Sequence, residues 1–170
     1  MSLTVRDRPS PHHDPRPPGV EVDTIVLHAT VLDSLEETCR HFERLETRAA
    51  SHYTIDRDGA VVRHVPEDRR AWHAGPSVMP DGRQSVNDFS IGIELVNRND
   101  GEDPYTPAQI ASLVELISTI RARHPIGFIV SHAEIAVPPG RKTDPLGLNP
   151  SLLGEHETLV VGKFLALGNP

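Results

Sequence analysis

Short apolar runs alternate with amphipathic stretches along the chain, and their periods separate strands from helices. Val22-Asp23-Thr24-Ile25-Val26-Leu27 is β-branched and apolar, predicts a buried strand, and stops at His28. Ser34-Leu35-Glu36-Glu37 fits a capping box, and Leu35, Cys39, Phe42 and Leu45 then share one helical stripe. His52-Tyr53-Thr54-Ile55, the turn Asp56-Arg57-Asp58-Gly59 and the run Ala60 to Val65 predict a β-hairpin in which Gly59 supplies the positive φ. A long polar loop rich in Gly and Pro, Ala74 to Asp88, separates the hairpin from a strand over Ser90 to Val96.

Thr106-Pro107-Ala108-Gln109 opens the longest helix, with a Thr cap, Pro in the first turn and a stripe of Ile110, Leu113, Val114, Ile117 and Ile120. It ends before Pro125, and the strand Phe128 to Ser131 leads directly into His132. A last helix is expected around Leu152 to Leu167. Strands separated by two well-formed helices imply a single α/β domain, residues 21–170, with a central mixed β-sheet flanked by helices. Residues 1–20 carry five of the 16 prolines and read as an extended N-terminal arm.

Composition narrows the classes of function. One cysteine, Cys39, excludes an internal disulfide framework and a Cys-based zinc cluster. A net charge of −7 argues against nucleic acid as partner, because phosphate binding needs clustered Lys and Arg. No apolar run approaches the length of about 20 residues that spans a bilayer. The first nine residues lack a basic-then-apolar signal pattern, so the chain as given reads as cytoplasmic, with a periplasmic or envelope location if a signal was removed. A monomer is expected. Ten histidines beside two tyrosines and one tryptophan turn attention to metal or proton chemistry.

His28 and His132 each end an apolar strand, at the carboxyl edge where open α/β sheets build their sites. Either one alone reads most simply as a satisfied surface histidine, and two in equivalent contexts weaken that reading without overturning it. In Gly140-Arg141-Lys142-Thr143-Asp144-Pro145 the proline biases Asp144 to extended backbone, which points Lys142 and Asp144 the same way. Two neutral imidazoles and that carboxylate would give Zn²⁺ three protein ligands and an open position; the bland alternative is a solvated loop. On Ser90 to Val96, alternation places Glu94 with the small Gly92, opposite Ile91, Ile93 and Leu95. Glu94 is then either solvent-facing or aimed at a site, and Gly92 leaves room for a ligand or water.

Five ordered segments carry a resemblance: Val26-Leu27-His28-Ala29-Thr30, Ser51-His52-Tyr53, Arg70-Ala71-Trp72-His73-Ala74-Gly75, Asn87 to Glu94, and Arg141-Lys142-Thr143-Asp144-Pro145. Over roughly residues 9 to 150 the chain resembles the zinc-dependent N-acetylmuramoyl-L-alanine amidases of type 2, the superfamily of AmpD, phage-lysozyme and peptidoglycan-recognition proteins. The resemblance implies one Zn²⁺ per chain on His28, His132 and Asp144. Glu94 matches the residue that activates the catalytic water, and Lys142 the cation beside the tetrahedral intermediate. Trp72, His73 and Asn87 match groove positions, and Arg48 an arginine that meets a stem-peptide carboxylate. Only Ala29 to Asp33 stands where recycling members carry an insertion, and Ser85 stands where some have an arginine. Both departures bring the layout closer to compact envelope members that accept intact or anhydro muropeptides.

The implied function is hydrolysis of the amide between N-acetylmuramic acid and L-alanine in peptidoglycan or muropeptides. Two other readings stay open: a peptidoglycan-binding module without turnover, and a zinc hydrolase acting on a different amide.

Overall fold

The strand Thr24–Ala29 (β3) is buried along its whole length, and the rest of the molecule is arranged about it. A computed structural model describes residues 3–153 and 160–161. Among these, β3 lies in one sheet with Val5–Asp7 (β1), Tyr53–Ile55 (β4), Val61–Arg63 (β5), Ser90–Leu95 (β7), Phe128–Ser131 (β8) and Val160–Val161 (β9). Their order is β1-β5-β4-β7-β3-β8-β9. The hairpin β4–β5 is antiparallel and its neighbours pair in parallel, so the sheet is mixed. His13–Pro15 (β2) and Arg69–Ala71 (β6) form a separate antiparallel ribbon. The helices are Leu35–Glu43 (α1), Pro107–Arg121 (α2) and the single turn His132–Ile135 (α3).

Alternation along the strands gives each sheet face its own cover. Ile25 and Leu27 of β3, Ile91, Ile93 and Leu95 of β7 and Ile129 of β8 pack against Leu113, Leu116, Ile117 and Ile120 of α2. Burying each such side chain stabilises the fold by roughly 1.5–3 kcal/mol. On the opposite face Val26 and Val130 lie beneath Ala74, Met79 and Val86 of the long loop, Phe89 just after it, and Ile135 of α3. The odd residues of β3 therefore build core. The even ones, ending in His28, face the loop.

The helix caps form as the sequence expects. Ser34 Oγ accepts from Glu37 N at 3.2 Å, while the Glu37 carboxylate accepts from the backbone of Asp33, one residue before the cap. Thr106 Oγ1 accepts from Gln109 N at 3.1 Å. The stripe of α2 is rotated from the expected one: Gln109 and Leu116 are buried, whereas Ile110 and Val114 are half-buried. Gln109 is tolerated inside because its amide donates to Ile55 O and Val96 O, at 3.0 and 3.1 Å.

Several boundaries depart from expectation. β3 starts at Thr24 and runs through His28 to Ala29. Leu45 is 72% exposed, because α1 ends at Glu43 and Arg44 turns extended. The arm is extended, yet it is tied into the fold: β1 adds an edge to β5, β2 pairs with β6, and Arg16 donates to Glu67 O, Asn87 O, Asp88 O and Ser90 O. The expected last helix is not formed where the chain is described. Pro150–Leu153 is a 3₁₀ turn, and Val160–Val161 pairs with β8. The rest of that span, 154–159 and 162–167, lies outside the described residues.

Candidate metal centre

Register alone brings three of the chemistry-bearing residues together. His28 of β3 sits directly beside Glu94 of β7, and Leu27 beside Ser131 of β8, which places His132 next to His28 at the carboxyl ends of three adjacent parallel strands. Asp144 arrives from the following loop. Its carbonyl accepts from Ala133 N at 2.9 Å, and Asn99 holds the loop through Thr143 Oγ1 and Leu146 N.

His28 Nδ1, His132 Nδ1 and Asp144 Oδ2 form a nearly equilateral triangle. The sides are 3.0 Å between the imidazoles, 3.1 Å from His132 to Asp144 and 3.3 Å from His28 to Asp144. Ligands at about 2.0–2.1 Å from a tetrahedral zinc stand roughly 3.3 Å apart, so the spacing fits that ion. The donor chemistry fits as well. His132 Nε2 lies 3.0 Å from Ala74 O, which only accepts, so Nε2 carries the hydrogen and the Nδ1 lone pair points inward. All three residues are buried. Burial first, and His132 next, push His28 down to about 4 despite Asp144, which keeps the ring neutral. Burial alone would raise Asp144, but the close contact with the His132 and His28 rings prevails and holds it well below the usual carboxylate range.

Glu94 completes the site. Burial, reinforced by the Asp144 charge, pushes its carboxyl up to about 8, while the nearby Ser51 hydroxyl and Lys142 pull the other way. Its Oε2 is buried without a hydrogen-bond partner. A half-buried glutamate with one buried, unpartnered oxygen beside a ligand triangle is costly for stability and useful for proton transfer. These groups line a cavity of about 170 Å³, with Lys142 exposed at its rim and Val31 and Leu32 on its wall. A larger groove of about 690 Å³ runs past Tyr53, Glu67 and Arg123. That groove carries the Glu67 ion network and, among the described residues, no converging set of metal-ligand atoms, so volume does not locate the site.

The remaining residues named from sequence fall in different places. Trp72 lines the cavity and donates Nε1–H to Asp14 at 2.7 Å. His73 also lines it, but its nitrogens are engaged with His28 Nε2 and Ser90 Oγ, each at 3.0 Å. Burial, followed by the neighbouring His28 and His52, holds His73 far below the usual histidine range. Asn87 is not on the cavity wall: its Oδ1 accepts from the backbone of His73 and Ala74 at 3.3 and 2.9 Å, fixing the segment that bears His73. Arg48 is exposed, in left-handed backbone at φ 50°, and outside the cavity lining. The space beside Gly92 holds the His73 ring rather than a ligand.

Ser90 and Val31 carry parts of the site that sequence reasoning passed over. Ser90 shares the face of Gly92 and Glu94, a signal that alternation does contain. Val31 is a β-branched residue at φ 58°, which no sequence pattern announces.

A donor triangle with an adjacent buried carboxyl, at the strand ends of an α/β sheet, defines a hydrolase-type site. The family model described as N-acetylmuramoyl-L-alanine amidase matches residues 18–147, and the chain belongs to this family of amidases. It is 40% identical over 164 residues to "1,6-anhydro-N-acetylmuramyl-L-alanine amidase AmpD" of Enterobacter cloacae, covering 84% of each chain. It is 45% identical over 145 residues to "N-acetylmuramoyl-L-alanine amidase AmiD" of Escherichia coli, covering 76% of this chain and 50% of that one. The E. coli AmiD structure, a complex with anhydro-N-acetylmuramic acid-L-Ala-D-gamma-Glu-L-Lys, superposes with a TM-score of 0.65 at 32% identity, over 76% of this chain and 55% of that one. Among the described residues no helix is long and apolar enough to cross a membrane.

Proposed function

We propose that this amidase hydrolyses the bond between the lactyl carbonyl of N-acetylmuramic acid and L-alanine in muropeptides, the 1,6-anhydro forms included, with one Zn²⁺ per chain. The convergence of His28, His132 and Asp144 beside Glu94 carries the reading. The names of the AmpD relatives and the ligand in the AmiD complex support the substrate class. A Zn²⁺ held by the three ligands would acidify a water and polarise the amide carbonyl.

The other steps fall to the chain's own side chains. Glu94, ionised beside positive charge, takes a proton from the attacking water as the C–O bond forms. Lys142 at the rim donates a hydrogen bond to the carbonyl oxygen as it gains negative charge. As the C–N bond breaks, Glu94 returns the proton to the leaving nitrogen, releasing a free muramic carboxyl and an L-alanyl amine. Trp72, at the cavity wall, contacts the muropeptide, as does Arg48 from outside the lining.

Glu94→Gln tests the reading, with release of L-alanine-terminated peptide from a purified anhydromuropeptide as the assay. The variant is expected to keep its zinc and lose about 10²–10⁴-fold in rate. Full activity in zinc-loaded Glu94→Gln would contradict the assigned chemistry.

A further inference from the structure

The hydrogen bonds behind His28 leave only one arrangement of hydrogens. Ser90, buried on β7, donates its hydroxyl hydrogen to Val86 O at 2.6 Å. A hydroxyl has one hydrogen, so toward His73 Nε2, 3.0 Å away, Ser90 Oγ only accepts. His73 Nε2 therefore carries hydrogen, and in the neutral ring Nδ1 is bare. That Nδ1 stands 3.0 Å from His28 Nε2, which must donate. His28 Nδ1 is then left with a lone pair facing His132 Nδ1 and Asp144 Oδ2.

The neighbouring ring does not compete. His52 accepts from Gly92 N at Nδ1 and reaches Arg69 O through Nε2, so both its nitrogens are engaged elsewhere. Space is arranged to match. A Cβ on Gly92 would stand 2.6 Å from His73 Cγ and 2.7 Å from Nδ1, so only glycine admits the ring there.

We propose that Ser90 and His73 are positioning residues of the metal centre, a two-step relay that fixes His28 in its ligating tautomer. Three successive positions on one face of β7 thus divide the work: Ser90 orients the relay, Gly92 makes room for it, and Glu94 faces the reaction. Outer partners of this kind typically change metal affinity by 10–100-fold when removed. The inference rests on the metal-site reading above.

Two measurements decide it. Long-range ¹H–¹⁵N spectra of the zinc-free wild type are expected to show hydrogen on Nε2 of both His28 and His73. Competition with a chromogenic chelator is expected to show Ser90→Ala binding zinc about 10–100-fold more weakly, with Ser90→Thr near wild type. Hydrogen on His73 Nδ1 in the wild type would overturn the proposal, as would Ser90→Ala affinity within twofold of wild type. Equal loss in both variants would mark Ser90 as a packing position and also overturn it. Should Ser90→Ala fail to fold, the wild-type spectrum still decides. Zinc binding with the expected tautomers but without peptide release would sink the amidase reading alone, whereas normal amidase activity with unaltered Ser90→Ala affinity would sink the relay alone.

Discussion

Glu67→Gln probes an ion network far from the reaction and should make stability depend less on acid. The Glu67 carboxylate accepts from Tyr53 at 2.7 Å, from Arg123 at 2.6 and 3.0 Å, and from His124 at 2.8 Å. It ties β4 to the end of α2. Burial would raise its pKa, but the hydrogen bonds from Arg123, Tyr53 and His124 prevail and hold it at about 2, against an ordinary 4.5. That difference corresponds to roughly 3 kcal/mol, less some screening because Arg123 is half exposed. The folded-state pKa is depressed, so the stabilisation is fully present above pH 4.5 and lost as pH falls toward 2. Glutamine keeps the shape and one acceptor while removing the charge. In urea unfolding under chelator, Glu67→Gln is expected to cost about 2–3 kcal/mol at pH 7 and less than half of that at pH 3. A penalty that is equal at both pH values would show that the charge is not what the network uses.

Other perturbations reach the site itself. Because burial and Asp144 raise the Glu94 carboxyl, its ionisation opposes folding increasingly from pH 4.5 to about 8. Zinc-free Glu94→Gln should therefore equal wild type at pH 4 and exceed it by a few kcal/mol at pH 8, as read by chemical denaturation. Val31→Asn should stabilise the fold by roughly 1 kcal/mol, since asparagine adopts the left-handed backbone at φ 58° more readily than valine; an unchanged or lower Tm would refute this. Lys142→Ala should lower kcat by about 10²–10³-fold with zinc affinity nearly unchanged, because the exposed ammonium acts on charge that appears during reaction.

The sequence made some of this legible because local rules and tertiary structure agree. The capping residues Ser34 and Thr106 sit where their side-chain chemistry is most useful, and the run ending at His28 is a strand because β-branched residues suit a sheet buried on both faces. Alternation put Glu94 opposite the α2-covered core, and strand register then set it beside His28. Other features depend on contacts between distant segments. β6, reading Arg69-Arg70-Ala71, lacks an apolar pattern and exists because His13 to Pro15 pairs with it. Gln109 lies inside because two strand-end carbonyls receive its amide, and Leu45 lies outside because the helix stops two residues earlier. The role of His73 belongs to the same kind: its neighbours Ser90 and His28 are 17 and 45 positions away, beyond any local motif.

Whether this chain is a zinc amidase is decided by metal analysis of the purified protein together with release of L-alanine-terminated peptide from an anhydromuropeptide, with and without chelator. About one zinc per chain, chelator-sensitive release and recovery when zinc is restored are expected. No bound zinc after reconstitution, or release indifferent to the chelator, would contradict the zinc amidase reading.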